Sequence, residues 1–528
     1  MFFFPEPRGL RRMRDGSRSS VGVELEFLVC VATAGQALDV PERFENANGG
    51  PIFLDPESND LDARFRVQSR IQETITNAVA QHRGARVVEL EDYQRQQGSR
   101  ADTDAIHLRP YRDWTVGEDP SVRLEGDDIL TVQFERFMNR YDWRSVEIAS
   151  PALWVADESW EEIQAVVQAL RDEFWIFIPS NAGMHYHYGN GKEYIPFGNL
   201  RRIAALLVAV DPILVQLHPE HRRENPFCHS NRLYSRIAHG RPAAVTSREL
   251  GAEDVEEAPE FPTVQPLPAP AARPFRQRSS SFTVPFRRGQ LTGYTFRPQI
   301  FLGSGFDEDN AAFLDDVNEN DGPITEEDEI ARNQNVRPLE IPYAVREILR
   351  SVNAPTVAEL MRYSALIGDR PAYSFLAYSL NRYRQLLRDG NRVSREQNKR
   401  TIEFRQMAST MEPDEVVAHG IIIVGLCEFA AEASLEDLWK VVLDCTVAEV
   451  DGDWFDVFDL LADLGLTSEA RVLQYAVAQF RDEDIPEEHS ADGDVDDGDY
   501  DDDENAPVAT ERVERRSWWR RLLGWYSS

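Results

Sequence analysis

The chain has 528 residues, of which 42% are hydrophobic and 28% charged, and a formal net charge of -34. That is enough chain for a large core or for two or three domains, and the acid excess argues against general nucleic-acid binding, which needs a basic surface. No uninterrupted apolar run reaches the ~18 residues of a membrane span. Residues 1–4 are too short for a signal h-region, and Cys30, Cys228, Cys427 and Cys445 lack the spacing of a zinc knuckle or disulfide framework. A cytoplasmic location is expected, with the nucleus as the other compartment these features allow. GxxxxGK[ST], GxGxxG and GxSxG motifs are absent, which removes support for P-loop, Rossmann and α/β-hydrolase chemistry.

In chain order, residues 1–20 are basic and read as a disordered arm. Residues 21–29, VGVELEFLV, alternate as a half-buried strand does, so Glu24 and Glu26 share one face and Val21, Val23, Leu25, Phe27 and Val29 the other. A loop over 41–60 leads to a helix over 62–83, a strand over 86–90, and a strand, acidic turn (Glu118, Asp119) and further strand over 114–124. Residues 143–150 set Val146 and Ile148 opposite Glu147, and a helix over 158–174 follows. Residues 182–189, AGMHYHYG, set Met184, Tyr186 and Tyr188 opposite His185 and His187. An apolar helix over 200–217 contains Pro212.

Residues 218–232, HPEHRRENPFCHSNR, crowd histidines and arginines around two prolines. They read either as a clamp for phosphate or carboxylate or as a solvated loop. Residues 243–288 are rich in proline and contain a serine run, as disordered insertions do, and 291–302 could be a strand. Residues 307–329 form an acidic loop. Helices are expected over 343–352, 356–366 (Thr356 as N-cap) and 373–388. Residues 401–406, TIEFRQ, then set Ile402 and Phe404 opposite Glu403 and Arg405. Helices over 412–433, 434–443, 446–464 and 468–480 close the folded part. A disordered acidic tail over 481–510 includes fourteen acidic residues between Asp482 and Glu504, and the basic aromatic segment 511–528 follows. Within that segment, 512–526 suit an interfacial helix, a docking peptide for a protein partner, or a fold-back onto the acidic run.

The four alternating strands share a chemistry. Carboxylate oxygens suit Mg²⁺ or Mn²⁺, imidazole adds a borderline ligand, and an arginine fork matches phosphate. Each strand has its own bland reading: solvent-facing glutamates, a satisfied histidine pair, or a Glu403–Arg405 ladder. Their joint occurrence favours a metal-nucleotide site. Two ions held there could bridge the phosphates of ATP and align its γ-phosphoryl with a substrate carboxylate, giving an acyl phosphate that an amine converts to an amide.

GVELEF, VEIASP, NAGMHYHYG, HPEHRRENPFC and TIEFRQ, in that order, resemble the amidoligases, a branch of the carboxylate-amine ligases that includes glutamine synthetase and glutamate-cysteine ligase; GMHYH looks like the GMHxH strand of glutamine synthetase. The resemblance covers roughly 21–235 and 340–432. It implies an α+β fold over 21–480, with a curved, mainly antiparallel sheet, helices on one face and the site on the other. By resemblance, Glu24, Glu26, Glu147, His185 and Glu403 are metal ligands, and Arg405 and Glu403 act at the transferring phosphoryl. His187 lies near the nucleotide, and Arg222, Arg223 and Arg232 are further phosphate or carboxylate contacts. ATP and Mg²⁺ or Mn²⁺ are the implied cofactors, and small-molecule or peptide carboxylates and amines the substrates. The family's Cys-Gly-Leu-His becomes Ala182, Gly183, Met184 and His185 here. Two other classes remain: an inactive adaptor of the same fold, against which the intact ligand set argues, and a metal-dependent hydrolase, from which ATP dependence would separate a ligase.

Overall fold

The computed structural model describes residues 13–38, 49–82, 113–124, 132–223, 225, 227–250, 339–362, 370–380, 399–450 and 455–480. They fall within one compact unit, Met1–Arg481; a second, Asp482–Ser528, contains none of them. At the centre is β1 (Ser20–Thr33), a β-branched and aromatic strand that is buried along all but its last residue. Antiparallel to it run β4 (Asp142–Ala149) on one side and β7 (Gly183–Gly189) on the other. β3 (Thr115–Gly117) extends the sheet beyond β4, while β9 (Ile402–Ala408) and then β8 (Tyr373–Ser374) extend it beyond β7. Three short strands also pair with β1: β2 (Ile52–Leu54), in parallel, and β5 (Leu153–Trp154) and β6 (Ile176–Phe177), antiparallel. Among the described residues the result is an open, mainly antiparallel nine-stranded sheet in an α+β fold.

The apolar face of β1, Val21 through Val31, enters the main core. That core is shared by α1 (Asp60–His82), α3 (Asp157–Glu173), α4 (Phe197–Leu214), α8 (Ile341–Arg350), α10 (Pro413–Glu432) and α11 (Leu435–Val450); α10 meets β1 and β7, and α8, α10 and α11 surround α4. Each fully buried Leu, Ile or Phe there contributes about 1.5–3 kcal/mol. The helix α4 is apolar almost all round, as its central position requires. Further helices are α9 (Ala354–Leu360), α12 (Val457–Asp463) and α13 (Thr467–Phe480). The opposite face of β1 changes character along its length. Glu24 and Glu26 give way to Leu28, Cys30 and Ala32, which join a smaller core with Phe137 and Met138 of α2 (Val132–Met138), Trp175 and Phe177. No helix among the described residues is long and apolar enough to cross a membrane.

Several expectations need correction. Residues 13–20 are ordered: Ser19 and Ser20 are buried, Ser19 Oγ donates to Glu428, and Asn199 donates to Asp15. The segment 218–232 is no solvated loop; Arg222, Asn231 and Arg232 are each at most 2% exposed, and it forms α5 (Glu220–Arg223) and α6 (Asn231–Tyr234). Residues 243–249, assigned to the insertion, form α7 (Ala243–Glu249), tied to α9 by Ser247 Oγ and Thr356 Oγ1 at 2.8 Å. Asn353, not Thr356, caps α9, because its Oδ1 accepts the Thr356 N–H at 2.9 Å. The expected helix does not start at 373: Tyr373 and Ser374 form β8, with Tyr373 paired to Phe404 and its N–H taken by Asn231, and Leu376–Tyr378 make only a 3₁₀ turn. Beyond Gly117 the expected second strand over 114–124 does not form. The expected strands at 86–90 and 291–302, the acidic loop, the insertion past 250 and everything past 480 lie outside the described residues.

Candidate functional site

Register brings the four alternating strands together. Glu26 stands opposite Glu147, Glu24 opposite His185, and His187 opposite Glu403, so the polar residues of β4, β1, β7 and β9 share the face turned away from the main core. Between Phe404 and Met407, β9 carries one residue more than the facing stretch of β7, which makes a bulge. Arg222 serves the carbonyls of that bulge, Nη2 donating to Arg405 O at 2.8 Å and Nε to Gln406 O at 3.5 Å. Gln406 is turned inward, where Nε2 reaches Asp211 at 2.6 Å and Oε1 accepts from Tyr373 at 2.8 Å. Asp211, fully buried on α4, also accepts from Ser230 Oγ and the Arg232 N–H. Burial pushes its carboxyl up, against the pull of those donors.

Around Glu24 the contacts are dense. Its Oε1 lies 2.9 Å from His187 Nε2 and 2.6 Å from Lys399 Nζ, and its Oε2 lies 3.5 Å from His185 Nδ1. His187 Nδ1 is 3.1 Å from Thr401 Oγ1. Burial alone would raise the Glu24 carboxyl, but His187, Lys399 and the hydrogen bonds hold it well below the usual range. Glu26 accepts the Gly183 N–H at 2.7 Å and faces His185 Nε2 at 3.7 Å, and burial still leaves its carboxyl raised. Glu147 is pushed up to about 8, by burial and then by Glu24, Glu26 and Asp119. Glu403 is bonded to Arg405 Nη1, while Arg405 Nε donates to Phe227 O at 3.3 Å. His187, Arg405 and His185 together outweigh the burial of Glu403 and keep it low.

Acids therefore outnumber cations on this face. Glu24, His187 and Glu403 each offer a ligand atom, all within 4.8 Å of one another. Ligands of one Mg²⁺ at 2.0–2.1 Å are up to ~4.2 Å apart, so sub-ångström shifts would close the trio, and the oxygen and imidazole donors suit Mg²⁺ or Mn²⁺. His187, expected beside the nucleotide, is the imidazole of this trio, and His185 lies between Glu24 and Glu26. Arg223 donates to the His218 carbonyl at 3.1 Å. Arg232 is not brought to the cluster: it is 1% exposed, and its Nε and Nη2 grip Glu449 on α11 at 3.0 and 3.1 Å.

Lys399, Thr401 and Asp119 were not singled out as site residues, yet a signal for them exists. Positions 399, 401, 403 and 405 share one period-2 face, and Asp119 continues that of Gly117, which pairs with Glu147. No curated protein and no solved structure matches the chain. The family model described as "Putative amidoligase enzyme" matches residues 17–239, about two fifths of the chain, which include β1, β4 and β7 with Glu24, Glu26, Glu147, His185 and His187. By that match, the segment 17–239 is similar to the amidoligase family.

Proposed function

We propose that the chain is an ATP- and Mg²⁺- or Mn²⁺-dependent carboxylate-amine ligase that forms an amide through an acyl phosphate. The observation that carries this reading is the convergence of Glu24, Glu26, Glu147, His185, His187, Glu403 and Arg405 on one sheet face. Glu24, His187 and Glu403 would hold one ion, and Glu26 and Glu147 a second, with His185 between the two groups. Ions so bound would neutralise the phosphates of ATP and order them for in-line attack. Arg405, fixed by Glu403 and by the Phe227 carbonyl, supports the charge that develops on the transferring phosphoryl group. Arg222, which donates through Nη2 and Nε to the bulge carbonyls, keeps Arg405 in place.

The chemistry balances as follows. A substrate carboxylate oxygen attacks the γ-phosphorus and ADP leaves. The amine then attacks the acyl carbon of the mixed anhydride, and phosphate departs with the oxygen the acid contributed. The substrates are a small-molecule or peptide carboxylate and an amine. Phosphate release from Mg-ATP across pools of amino acids and peptides, with hydroxylamine as trap, tests this. Substrate-dependent release with hydroxamate formation is expected, reduced at least about 100-fold in Glu403→Gln and Arg405→Ala. Release that needs no acid substrate and gives no hydroxamate would favour the hydrolase, and no release with no binding of Mg-ATP the adaptor.

A further inference from the structure

Lys399 lies just before β9, on the continuation of the face that carries Thr401, Glu403 and Arg405. Its Nζ is 2.6 Å from Glu24 Oε1 and 3.4 Å from His187 Nε2, two members of the trio that could hold an ion. Glu24 Oε1 thus already carries a full positive charge at contact distance. A divalent ion bound through that oxygen at about 2.0–2.1 Å would stand roughly 4 Å from the ammonium along the ordinary lone-pair directions. The two cations would repel each other strongly in a half-buried site while sharing one carboxylate.

We infer that Lys399 is a tethered cation that competes with a divalent ion for Glu24 and thereby sets the affinity of the site for that ion. The inference rests on the metal-site reading above. The lysine is well suited to yield, since its side chain is 37% exposed and can swing into solvent on a flexible stem. Arg405, by contrast, is 18% exposed and fixed by Glu403 and by Phe227 O, so it cannot withdraw as readily. The ammonium would keep the acidic face charge-compensated, and an ion would load only when its own attraction to the carboxylates exceeds that of the lysine.

Mn²⁺ binding to the full chain tests this, read by the paramagnetic resonance of free Mn²⁺ and by calorimetry at fixed ionic strength, with no nucleotide present. Lys399→Met, which keeps the length and removes the charge, is expected to bind Mn²⁺ at least about tenfold more tightly than the unaltered chain. Lys399→Arg, which keeps the charge, should stay within about threefold of the unaltered chain, and Glu24→Gln should bind more weakly. Unchanged or weaker binding by Lys399→Met, with Glu24→Gln still weakened, would overturn the competition and leave the metal site standing. If neither the unaltered chain nor Lys399→Met binds Mn²⁺, the metal site and the competition fall together. Because Lys399 is part-exposed, its variants should melt with the unaltered chain, which separates these outcomes from misfolding.

Discussion

Glu24 and Glu147 occupy adjacent strands of one face, yet their carboxyls are driven in opposite directions, Glu24 down by cationic neighbours that overcome its burial and Glu147 up by burial and then by its acidic neighbours. Burial and neighbouring charge, not residue type, set the role each could take. Gly183 shows how closely the side chains are fitted. A Cβ there would come within 3.0 Å of Arg222 Nη2 and of His185 Nε2, while its N–H is the donor that holds Glu26. Gly183→Ala is therefore expected to cost on the order of 1–3 kcal/mol of stability by overpacking and to weaken Mn²⁺ binding as His185 and Glu26 are displaced. Urea unfolding together with the Mn²⁺ titration would check both, and unchanged values would show that the cradle has slack. The glutamates, histidines and Arg405 were legible in the sequence because alternation alone assigns their face. Arg232 was misjudged because its partner, Glu449, lies 217 residues away, and no local pattern announces such a pair.

At the scale of elements, strands that alternate cleanly were the readable part: β1, β4, β7 and β9 form where their periodicity places them. What depends on distant pairing was not. Tyr373 and Ser374 open a stretch with the composition of a helix but are drawn into the sheet by β9, and the bulge in β9 has no signature in TIEFRQ. Helix α10 gives a test of how the helical layer is seated. A Cβ at Gly420 would lie 2.6 Å from Trp160 Cζ3 and 3.0 Å from Tyr186 Cε1, and the Tyr186 hydroxyl is bonded to the Val416 carbonyl on the same helix. Alanine in place of glycine gains up to about 1 kcal/mol of helix propensity, whereas overpacking costs about 1–3 kcal/mol. Gly420→Ala should thus lower the melting temperature, and Trp160→Leu in the same chain should restore part of the loss. A higher melting temperature in Gly420→Ala would mean that α10 moves freely off the sheet.

Over the whole molecule, stability should depend on pH through two stacked imidazoles. His218 and His419 lie 5.6 Å apart, ring on ring, both buried. Burial holds His218 well below its ordinary value, with His419, Arg222 and Arg223 adding to the effect, and burial alone brings His419 down to about 4. The unfolded chain binds protons below about 6.5 that the folded chain refuses, so this contribution is complete above that pH and is lost as pH falls towards 4. For His419 alone the loss is about 1.4 kcal/mol per pH unit within that window. His419→Gln should show a shallower decline in unfolding free energy between pH 6.5 and 5, and parallel curves for the two proteins would contradict the account.

The overall charge of -34 foretold none of this, because it sums the whole chain, including fourteen acidic residues in one run after residue 481. An acyl-phosphate route and a hydrolytic one differ in where the fourth oxygen of the released phosphate originates. Once an acid and amine that stimulate phosphate release are found, the reaction run in water enriched in ¹⁸O decides it by mass spectrometry of the phosphate. An acyl-phosphate ligase predicts phosphate free of solvent oxygen, its fourth oxygen coming from the substrate carboxylate. One solvent oxygen in each phosphate would show that water attacks the γ-phosphorus, and would contradict the assignment of this face to amide-bond formation.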